Sequence, residues 1–233
     1  MVNGLEALSE LEYPGRFIMM GFTKLGNPTV VYGITGRSLS SQARRLVIEN
    51  GRIKVQPTDQ KILEQGDPNL LVYDAVIFER RKVAVSNGAQ TENVYDHGVS
   101  DGHNLWSFEP DAPNYTPRIS GFMPQNNFTV QHPIMGIIRR SFSGEPVREY
   151  FEVPISRGKG RLISTYSGAN ENPLPSFKGQ PLDVEIEGFT ARDVAINFYR
   201  SLKVKDNQNF RVAVATVCLK DTDPLVYIIN RHN

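Results

Sequence analysis

The chain has 233 residues, of which 39% are hydrophobic and 22% are charged, and this ordinary globular balance argues against wholesale disorder. A net charge of +1 excludes a global field that would attract nucleic acid or an acidic membrane surface. No apolar run approaches the length of a membrane span, and residues 1–12 lack the basic and apolar segments of a signal peptide. We therefore expect a cytoplasmic protein that forms one domain over residues 1–233, with residues 1–12 as an N-terminal extension.

Apolar runs in the first half of the chain predict three β-hairpins. Their strand pairs are 16–21 with 29–35, 46–49 with 52–56, and 70–78 with 82–86. The turn of the second pair is Asn50-Gly51, a strong hairpin signal because both residues tolerate the positive φ of a tight turn. Residues 59–68 are predicted as a loop or a short helix. Residues 98–117, rich in Gly, Pro, Asn and Asp, are predicted as a long loop.

The second half of the chain adds further strands and one clear helix. The strand candidates are 118–123, 129–139, 147–153 and 161–165, followed by a final pair, 210–219 with 225–229. Residues 190–202 are predicted as a helix, because Thr190 can cap its start with Asp193 three residues on. Hairpin-linked strands with few helices predict an α+β fold of antiparallel sheets with the helices packed outside.

Two smaller features complete this outline. Residues 168–181 contain three prolines and two glycines and predict a surface loop, which we treat as an insertion over 166–182. The single cysteine, Cys218, excludes an intrachain disulfide, and its apolar surroundings predict a buried side chain.

Several enzyme signatures are absent from the sequence. There is no phosphate-binding loop, no dinucleotide-binding glycine motif and no Gly-x-Ser-x-Gly elbow. His97 and His103 lie near Asp96 and Asp101, which leaves a metal site open, but solvated loop histidines are the favoured interpretation. A metal or nucleotide-cofactor enzyme of a common type is therefore disfavoured.

Three polar clusters carry the residue types that binding and catalysis need. The first spans 36–45 and combines the guanidinium groups of Arg37, Arg44 and Arg45 with hydroxyls such as Ser38. A planar guanidinium fork with short hydroxyl donors suits a phosphate. A solvated basic loop explains the same residues equally well.

The second cluster spans 83–91, where a predicted buried strand runs into Ser86-Asn87-Gly88. A glycine there allows backbone N–H groups to approach a ligand closely, and the amides of Asn87 and Gln90 suit a base or an amide substrate. An ordinary hairpin turn is the favoured alternative.

The third cluster spans 108–119 and holds Glu109, Asp111, Tyr115 and Arg118 at the edge of a predicted strand. Glu109 could act as a general acid or base if burial raises its pKa, and Arg118 could bind an anion or pair with one of the carboxylates. A surface turn closed by an ion pair is the favoured alternative.

Taken in order, short stretches of the chain resemble the archaeal IMP cyclohydrolase family and its bacterial relatives. The matching stretches are 13–17, 21–23, Arg37-Ser38, 67–69, 72–74, 85–88 with Thr91, and 115–119 with Glu109 upstream. The resemblance is good over about residues 13–121, weak over 122–181, and returns as a pattern in the last helix and strands.

This resemblance implies a four-layer αββα sandwich of the N-terminal-nucleophile-hydrolase type, without a processed N-terminal nucleophile. It implies an enzyme that closes the purine ring of a formamido-imidazole-carboxamide ribonucleotide, a small-molecule substrate, to give IMP and water. The carboxamide nitrogen attacks the formyl carbon of the same molecule. The enzyme must therefore hold a folded conformer, stabilise an oxyanion and help water leave. No metal or cofactor is required.

The resemblance also implies the site residues. Arg37, Tyr73 and Glu109 match the catalytic positions. Arg37 would bind the oxyanion or phosphate, Tyr73 would donate to the formyl oxygen or orient the base, and Glu109 would shuttle a proton or hold the carboxamide. The implied substrate-binding residues are Arg16, Ser38, Asn87, Gly88, Thr91, Tyr115 and Arg118. Two alternatives stay open, namely a related C–N hydrolase on another amide and a non-catalytic purine-nucleotide-binding domain. Pairing of strand edges into a homo-oligomer also stays open.

Overall fold

The structure, a computed structural model, describes residues 4–59, 61, 71–80, 82–124, 132–204, 208–220 and 223–232. Within these ranges the helices are α1 (Gly4–Glu10), α2 (Leu39–Gln42), α3 (Thr91–Gly102) and α4 (Ala191–Ser201). The strands are β1 (Arg16–Phe22), β2 (Pro28–Thr35), β3 (Arg44–Glu49), β4 (Arg52–Pro57), β5 (Tyr73–Glu79), β6 (Lys82–Ser86), β7 (Arg118–Pro124), β8 (Ile134–Arg140), β9 (Pro146–Glu152), β10 (Lys159–Ser164), β11 (Leu182–Glu185), β12 (Arg211–Cys218) and β13 (Leu225–Asn230).

These strands form two antiparallel sheets. The first has the order β11-β10-β1-β2-β12-β13, and the second has the order β3-β4-β5-β6-β7-β8-β9. Strands from both ends of the chain meet in the first sheet, where β2 pairs with β12. The predicted α+β fold with antiparallel sheets and few helices is therefore confirmed.

One apolar core lies between the two sheets. Alternate residues of each strand point into it, such as Ile18 and Met20 from β1 and Val83 and Val85 from β6. Because side chains alternate along a strand, the intervening residues lie on the outer faces. The two sheets therefore pack face to face.

Helices cover the two outer faces. Leu8 of α1 and Phe198 of α4 pack on the first sheet, where the ring of Phe198 stacks on Phe17 with centroids 6.1 Å apart. Val94 and Val99 of α3 pack on Ala84 of the second sheet. This layering is compatible with the sandwich expected from the sequence. None of the helices in the described ranges is long and apolar enough to cross a membrane.

Local signals in the sequence predicted several elements correctly. The β3–β4 hairpin turns at Asn50 and Gly51, whose φ values are 48° and 74°. Helix α4 begins with a capping box between Thr190 and Asp193. The other two predicted hairpins are also present as β1–β2 and β5–β6, and Cys218 is buried.

The predicted loop over residues 98–117 is wrong in its first part, because α3 runs through to Gly102. This helix bends at Gly98, which has φ 80° and ψ 177°, and only four of its residues are buried. Its apolar stripe is too sparse and too interrupted to stand out in the sequence, and packing on the second sheet stabilises it. Strand β11 and helix α1 were not anticipated either.

The interpretation of His103 as a solvated loop histidine is also wrong. Its side chain is completely buried below α3, and Nε2 lies 2.8 Å from the hydroxyl of Ser120. Burial, followed by the nearby Arg148 and Arg118, lowers the pKa of His103 to about 3. The ring is therefore neutral at physiological pH.

Several predictions fall on residues outside the described ranges. Of the predicted loop or short helix over 59–68, only residues 59 and 61 are described. The motif at 67–69, residue 70 of the predicted strand 70–78, and residues 129–131 of the predicted strand 129–139 also lie outside the described ranges. The segment after β10 exposes residues 171–173 and is held by the buried side chains of Leu174 and Phe177.

Candidate active site

An arginine and a glutamate form a buried ion pair at one edge of the inter-sheet core. Arg16 begins β1 on the same face as Ile18, so its side chain points between the sheets. Its Nη2 donates to Oε1 of Glu109 at 2.7 Å, and the two side chains are only 12% and 5% exposed. The backbone N–H of Glu109 donates to the carbonyl of Thr116 at 2.8 Å, which fixes the glutamate on the segment that precedes β7.

Two tyrosines meet beside this pair, one from each sheet. Tyr32 of β2 and Tyr73 of β5 have hydroxyl oxygens 2.7 Å apart. Tyr32 is fully buried and Tyr73 is 6% exposed. Burial, reinforced by Tyr73, raises the pKa of Tyr32 well above its ordinary value, although Arg16 acts in the opposite direction. Tyr32 is therefore neutral at physiological pH.

The surroundings keep Arg16 charged and make Glu109 a stronger base. Burial disfavours the charged guanidinium, but Glu109 and the nearby phenols hold the pKa of Arg16 well above its ordinary value. Burial raises the pKa of the Glu109 carboxyl, despite the lowering effect of Arg16 and Arg118. A carboxyl with a raised pKa in contact with a fixed cation is suited to proton transfer.

Both members of the ion pair have hydrogen-bonding groups that the protein does not use. Nε of Arg16 is buried without a partner, and within the described ranges the guanidinium makes its one hydrogen bond to Glu109. Oε1 of Glu109 receives Arg16 and, at 3.4 Å, Asn87, whereas no described residue donates to Oε2. Since buried donors are nearly always paired, the unpaired Nε of Arg16 points to a ligand at this position.

Asn87, in contrast, is saturated by the protein. Its Oδ1 accepts from the backbone N–H of Ile119 at 2.8 Å and from Gln90 at 3.2 Å. Its Nδ2 donates to the carbonyl of Pro117 at 2.9 Å and to Glu109. An amide makes about four hydrogen bonds, so Asn87 ties the end of β6 to the start of β7.

Arg118 is held on the far side of the same network. Nη1 donates to Oε1 of Gln90 at 2.9 Å, Nε donates to the carbonyl of Ser107 at 2.9 Å, and the guanidinium lies 4.9 Å from the ring centroid of Trp106. A Cβ on Gly88 would come within 2.3 Å of Nη1, so the glycine is what admits this side chain. Thr91 donates to the carbonyl of Gly88 at 2.9 Å where α3 begins.

Arg37 lies apart from this cluster, on the surface. It donates to Oδ1 of Asn170 at 3.1 Å and to the carbonyl of Glu171 at 2.8 Å, and it lines a polar pocket of about 450 Å³. Its guanidinium lies 5.7 Å from the ring centroid of Tyr13, which stacks on Tyr166 at 5.8 Å. The structure therefore groups Tyr73 and Glu109 with Arg16 and gives Arg37 no direct contact with them within the described ranges.

Ser38 and Tyr115 are also outside the cluster. Ser38 is exposed and caps α2 through its hydrogen bond from the backbone N–H of Ser41. Tyr115 has φ 45° and stands edge-on to Phe108, with Arg140 over its ring at 4.4 Å. Their roles in substrate binding stay predictions, as do those of the other site residues. Among the described residues no group of three or more metal-ligating side chains occurs.

Sequence reasoning missed Tyr32 and Tyr166. Tyr32 lies within a run of β-branched residues. It alternates with Val30 and Ile34, which face the core, and this two-residue periodicity is the signal that could have identified it. The hydroxyl of Tyr166 lies 2.6 Å from that of Thr116 and braces the segment that carries Glu109. Tyr166 had no such signal, because it falls in the predicted surface insertion.

Comparison with known proteins identifies the family of this chain. The sequence model of the family described as "IMP cyclohydrolase-like protein" matches residues 13–223. A relative from Methanopyrus kandleri, named IMP cyclohydrolase, is 30% identical over 183 residues, which cover 74% of this chain and 83% of the relative. A second relative with that name, from Methanococcus maripaludis, is 27% identical over 220 residues, which cover 90% of this chain and 96% of the relative.

The matched region begins at Tyr13, just before Arg16, and includes every residue of the buried cluster. The motifs that suggested the resemblance are thus part of a similarity that extends over most of the chain. The protein belongs to the IMP cyclohydrolase-like protein family.

Proposed function

We propose that this protein is an IMP cyclohydrolase, which closes the purine ring of a formamido-imidazole-carboxamide ribonucleotide and releases water. The observation that carries the proposal is the convergence of Arg16, Tyr73 and Glu109 from separate parts of the chain, with a guanidinium edge and a carboxylate oxygen left unused. Membership of the family and relatives that bear this name support the same activity.

The reaction needs an oxyanion site and a base, and the cluster supplies both. As the carboxamide nitrogen attacks the formyl carbon, negative charge develops on the formyl oxygen. The free edge of Arg16 and the hydroxyl of Tyr73 stabilise that charge, in a site from which water is largely excluded. Oε2 of Glu109 accepts the proton that the attacking nitrogen loses.

The second half of the reaction completes the proton balance. The carbon–oxygen bond breaks as the ring double bond forms, and the formamide nitrogen loses its proton. The two protons lost by the two nitrogens end on the departing oxygen, which leaves as water. Glu109 returns the proton it accepted, so the enzyme ends the cycle unchanged and no cofactor is consumed.

The surface pocket that Arg37 lines suits the phosphate end of the substrate. Arg37 lines it together with Gln42, Asn170 and Asn209, and these side chains offer several N–H donors. Arg37 lies over the ring of Tyr13, Tyr13 stacks on Tyr166, and Tyr166 interacts electrostatically with Arg16, so a chain of contacts links this pocket to the cluster. We assign Arg37 to phosphate binding, and we assign the oxyanion to Arg16, because Arg16 is the arginine in contact with Glu109.

The same proposal includes the four-layer architecture, the cytoplasmic location and the homo-oligomer. Helices outside two face-to-face antiparallel sheets support the four-layer αββα sandwich of the N-terminal-nucleophile-hydrolase type, formed as one domain. A purine-forming enzyme would act in the cytoplasm, and the open edges of both sheets are where a second copy would pair to form a homo-oligomer.

The test supplies the purified full-length protein with the formamido precursor and follows IMP formation by absorbance. Turnover by the wild-type protein is expected, and Glu109→Gln should lower kcat by about 10²–10⁴-fold, the usual contribution of a general base. The glutamine is isosteric, so nucleotide binding measured by calorimetry should persist. A wild-type protein that binds IMP without closing the ring would be a non-catalytic binder, and the proposal would be wrong.

A further inference from the structure

We propose that Tyr32 is a positioning residue for ring closure, which acts by donating its hydrogen bond to Tyr73 so that the Tyr73 proton is directed to the reacting oxygen. This inference rests on the proposed function. No sequence motif and no similarity to known proteins assigns a role to Tyr32. Its side chain comes from the first sheet, whereas that of Tyr73 comes from the second.

Burial fixes the direction of the hydrogen bond between the two phenols. Their oxygens are 2.7 Å apart, and either one could donate on distance alone. Tyr32 is fully buried, and within the described ranges Tyr73 is its one hydrogen-bond partner. If Tyr73 donated instead, the Tyr32 proton would be a buried donor without an acceptor, which is an unfavourable state.

The position of Tyr73 completes the argument. Tyr73 is 6% exposed whereas Tyr32 is not exposed at all, so Tyr73 is the more accessible of the two residues. Since its oxygen accepts from Tyr32, the Tyr73 proton is free to donate outward. Hydrogen bonds in a chain polarise one another, and the donor behind Tyr73 strengthens its donation to a developing oxyanion.

Packing around Tyr32 holds this geometry without help from the substrate. Tyr32 is paired across β1 with Ile18, and Val30 and Ile34 flank it on the same face of β2. Arg16 lies close enough to both phenols to interact with them electrostatically. Arg16 and the Tyr73 hydroxyl therefore act together on the formyl oxygen, where negative charge develops in the transition state.

The experiment is a double-mutant cycle with Tyr32→Phe and Tyr73→Phe in the full-length protein, measured as kcat and KM for IMP formation. Tyr32→Phe should lower kcat about 10-fold with KM unchanged, because it removes one donor and leaves all substrate contacts. In the Tyr73→Phe background the same change should have no further effect on kcat. Tyr95→Phe, which removes a hydrogen-bonded phenol on α3, is the matched control and should leave kcat unchanged.

Each outcome decides a different point. Equal losses in both backgrounds would mean that Tyr32 acts through general packing, and the positioning role would be overturned. An active wild-type protein with an unimpaired Tyr32→Phe variant would overturn it as well, without touching the proposed function. An inactive wild-type protein would overturn the proposed function and this role together. Thermal unfolding of all variants confirms that each kcat is measured on folded protein.

Discussion

Two buried polar regions lie next to each other, and they use their hydrogen bonds in opposite ways. Asn87, Gln90 and Arg118 bind one another and the backbone, and every polar atom of Asn87 has a partner. Within the described part of the chain, the Arg16 guanidinium makes one hydrogen bond, to Glu109, and keeps a buried Nε unpaired. A saturated network holds a fold together, whereas an unsaturated one is prepared for a ligand. The two regions should therefore respond differently to mutation.

Among the variants that compare the two regions, the largest effect should come from Arg16→Lys, which keeps the charge beside Glu109 but removes the guanidinium edge. We expect kcat/KM for IMP formation to fall by about 10²–10³-fold, the usual loss for an oxyanion donor. The matched control is Arg161→Lys, on neighbouring β10 and in an ion pair with Asp183. If both variants keep full activity, the unsaturated region is not the oxyanion site.

Asn87→Ala should mainly reduce stability. The change leaves the N–H of Ile119 and the carbonyl of Pro117 buried without partners, and we expect a loss of about 2–4 kcal/mol in the free energy of unfolding. Urea unfolding measures it. Asn104→Ala, at an exposed position just after α3, should cost less than about 0.5 kcal/mol. A loss of activity at unchanged stability would instead move Asn87 into the substrate site.

Arg37→Ala should have a smaller effect, which should appear in KM and not in kcat. Because Arg37 is exposed and bonded to a neighbouring loop, we expect KM to rise about 10-fold while kcat stays unchanged. Arg45→Ala, an exposed arginine of β3, is the control and should change neither constant. A fall in kcat would place Arg37 at the reacting atoms and return the oxyanion role to it.

His103, which is buried next to Ser120 of β7, provides a graded test through its protonation. Its folded pKa of about 3 lies below the unfolded value, so the unfolded state binds the proton more readily at acidic pH. The stability it contributes is complete above about pH 6.5 and is lost towards pH 3, by roughly 1.4 kcal/mol per pH unit. His103→Gln should remove this slope in unfolding experiments between pH 7 and 4.5. His97→Gln, at an exposed position on α3, should leave the slope unchanged.

The sequence predicted the elements whose signals are local. Asn50-Gly51 specifies a tight turn by its own φ preferences, and Thr190 with Asp193 caps α4 within one turn of chain. Helix α3 escaped prediction because few of its residues are apolar and Gly98 interrupts it. Its stability comes from docking on the second sheet, and that contact has no local signal.

The sequence could name candidate site residues, and their pairings were not predictable. Through the family resemblance, motif order indicated Arg37, Tyr73 and Glu109 as catalytic residues and Arg16 as a substrate-binding residue. That Arg16, and not Arg118, pairs with Glu109 depends on how β1 is placed against the segment before β7. The hydroxyl contact between Tyr32 and Tyr73 likewise exists because two different sheets face each other. Such contacts join distant parts of the chain and follow from topology.

The order of strands in the first sheet also has a consequence for how the protein is made. The β1–β2 hairpin, which supplies Arg16 and Tyr32, is flanked by β10 and β12, both from the last third of the chain. During translation the hairpin therefore leaves the ribosome long before either neighbour, with both of its edges open to other chains. Nascent chains that stall before β12 should be inactive and dependent on chaperones.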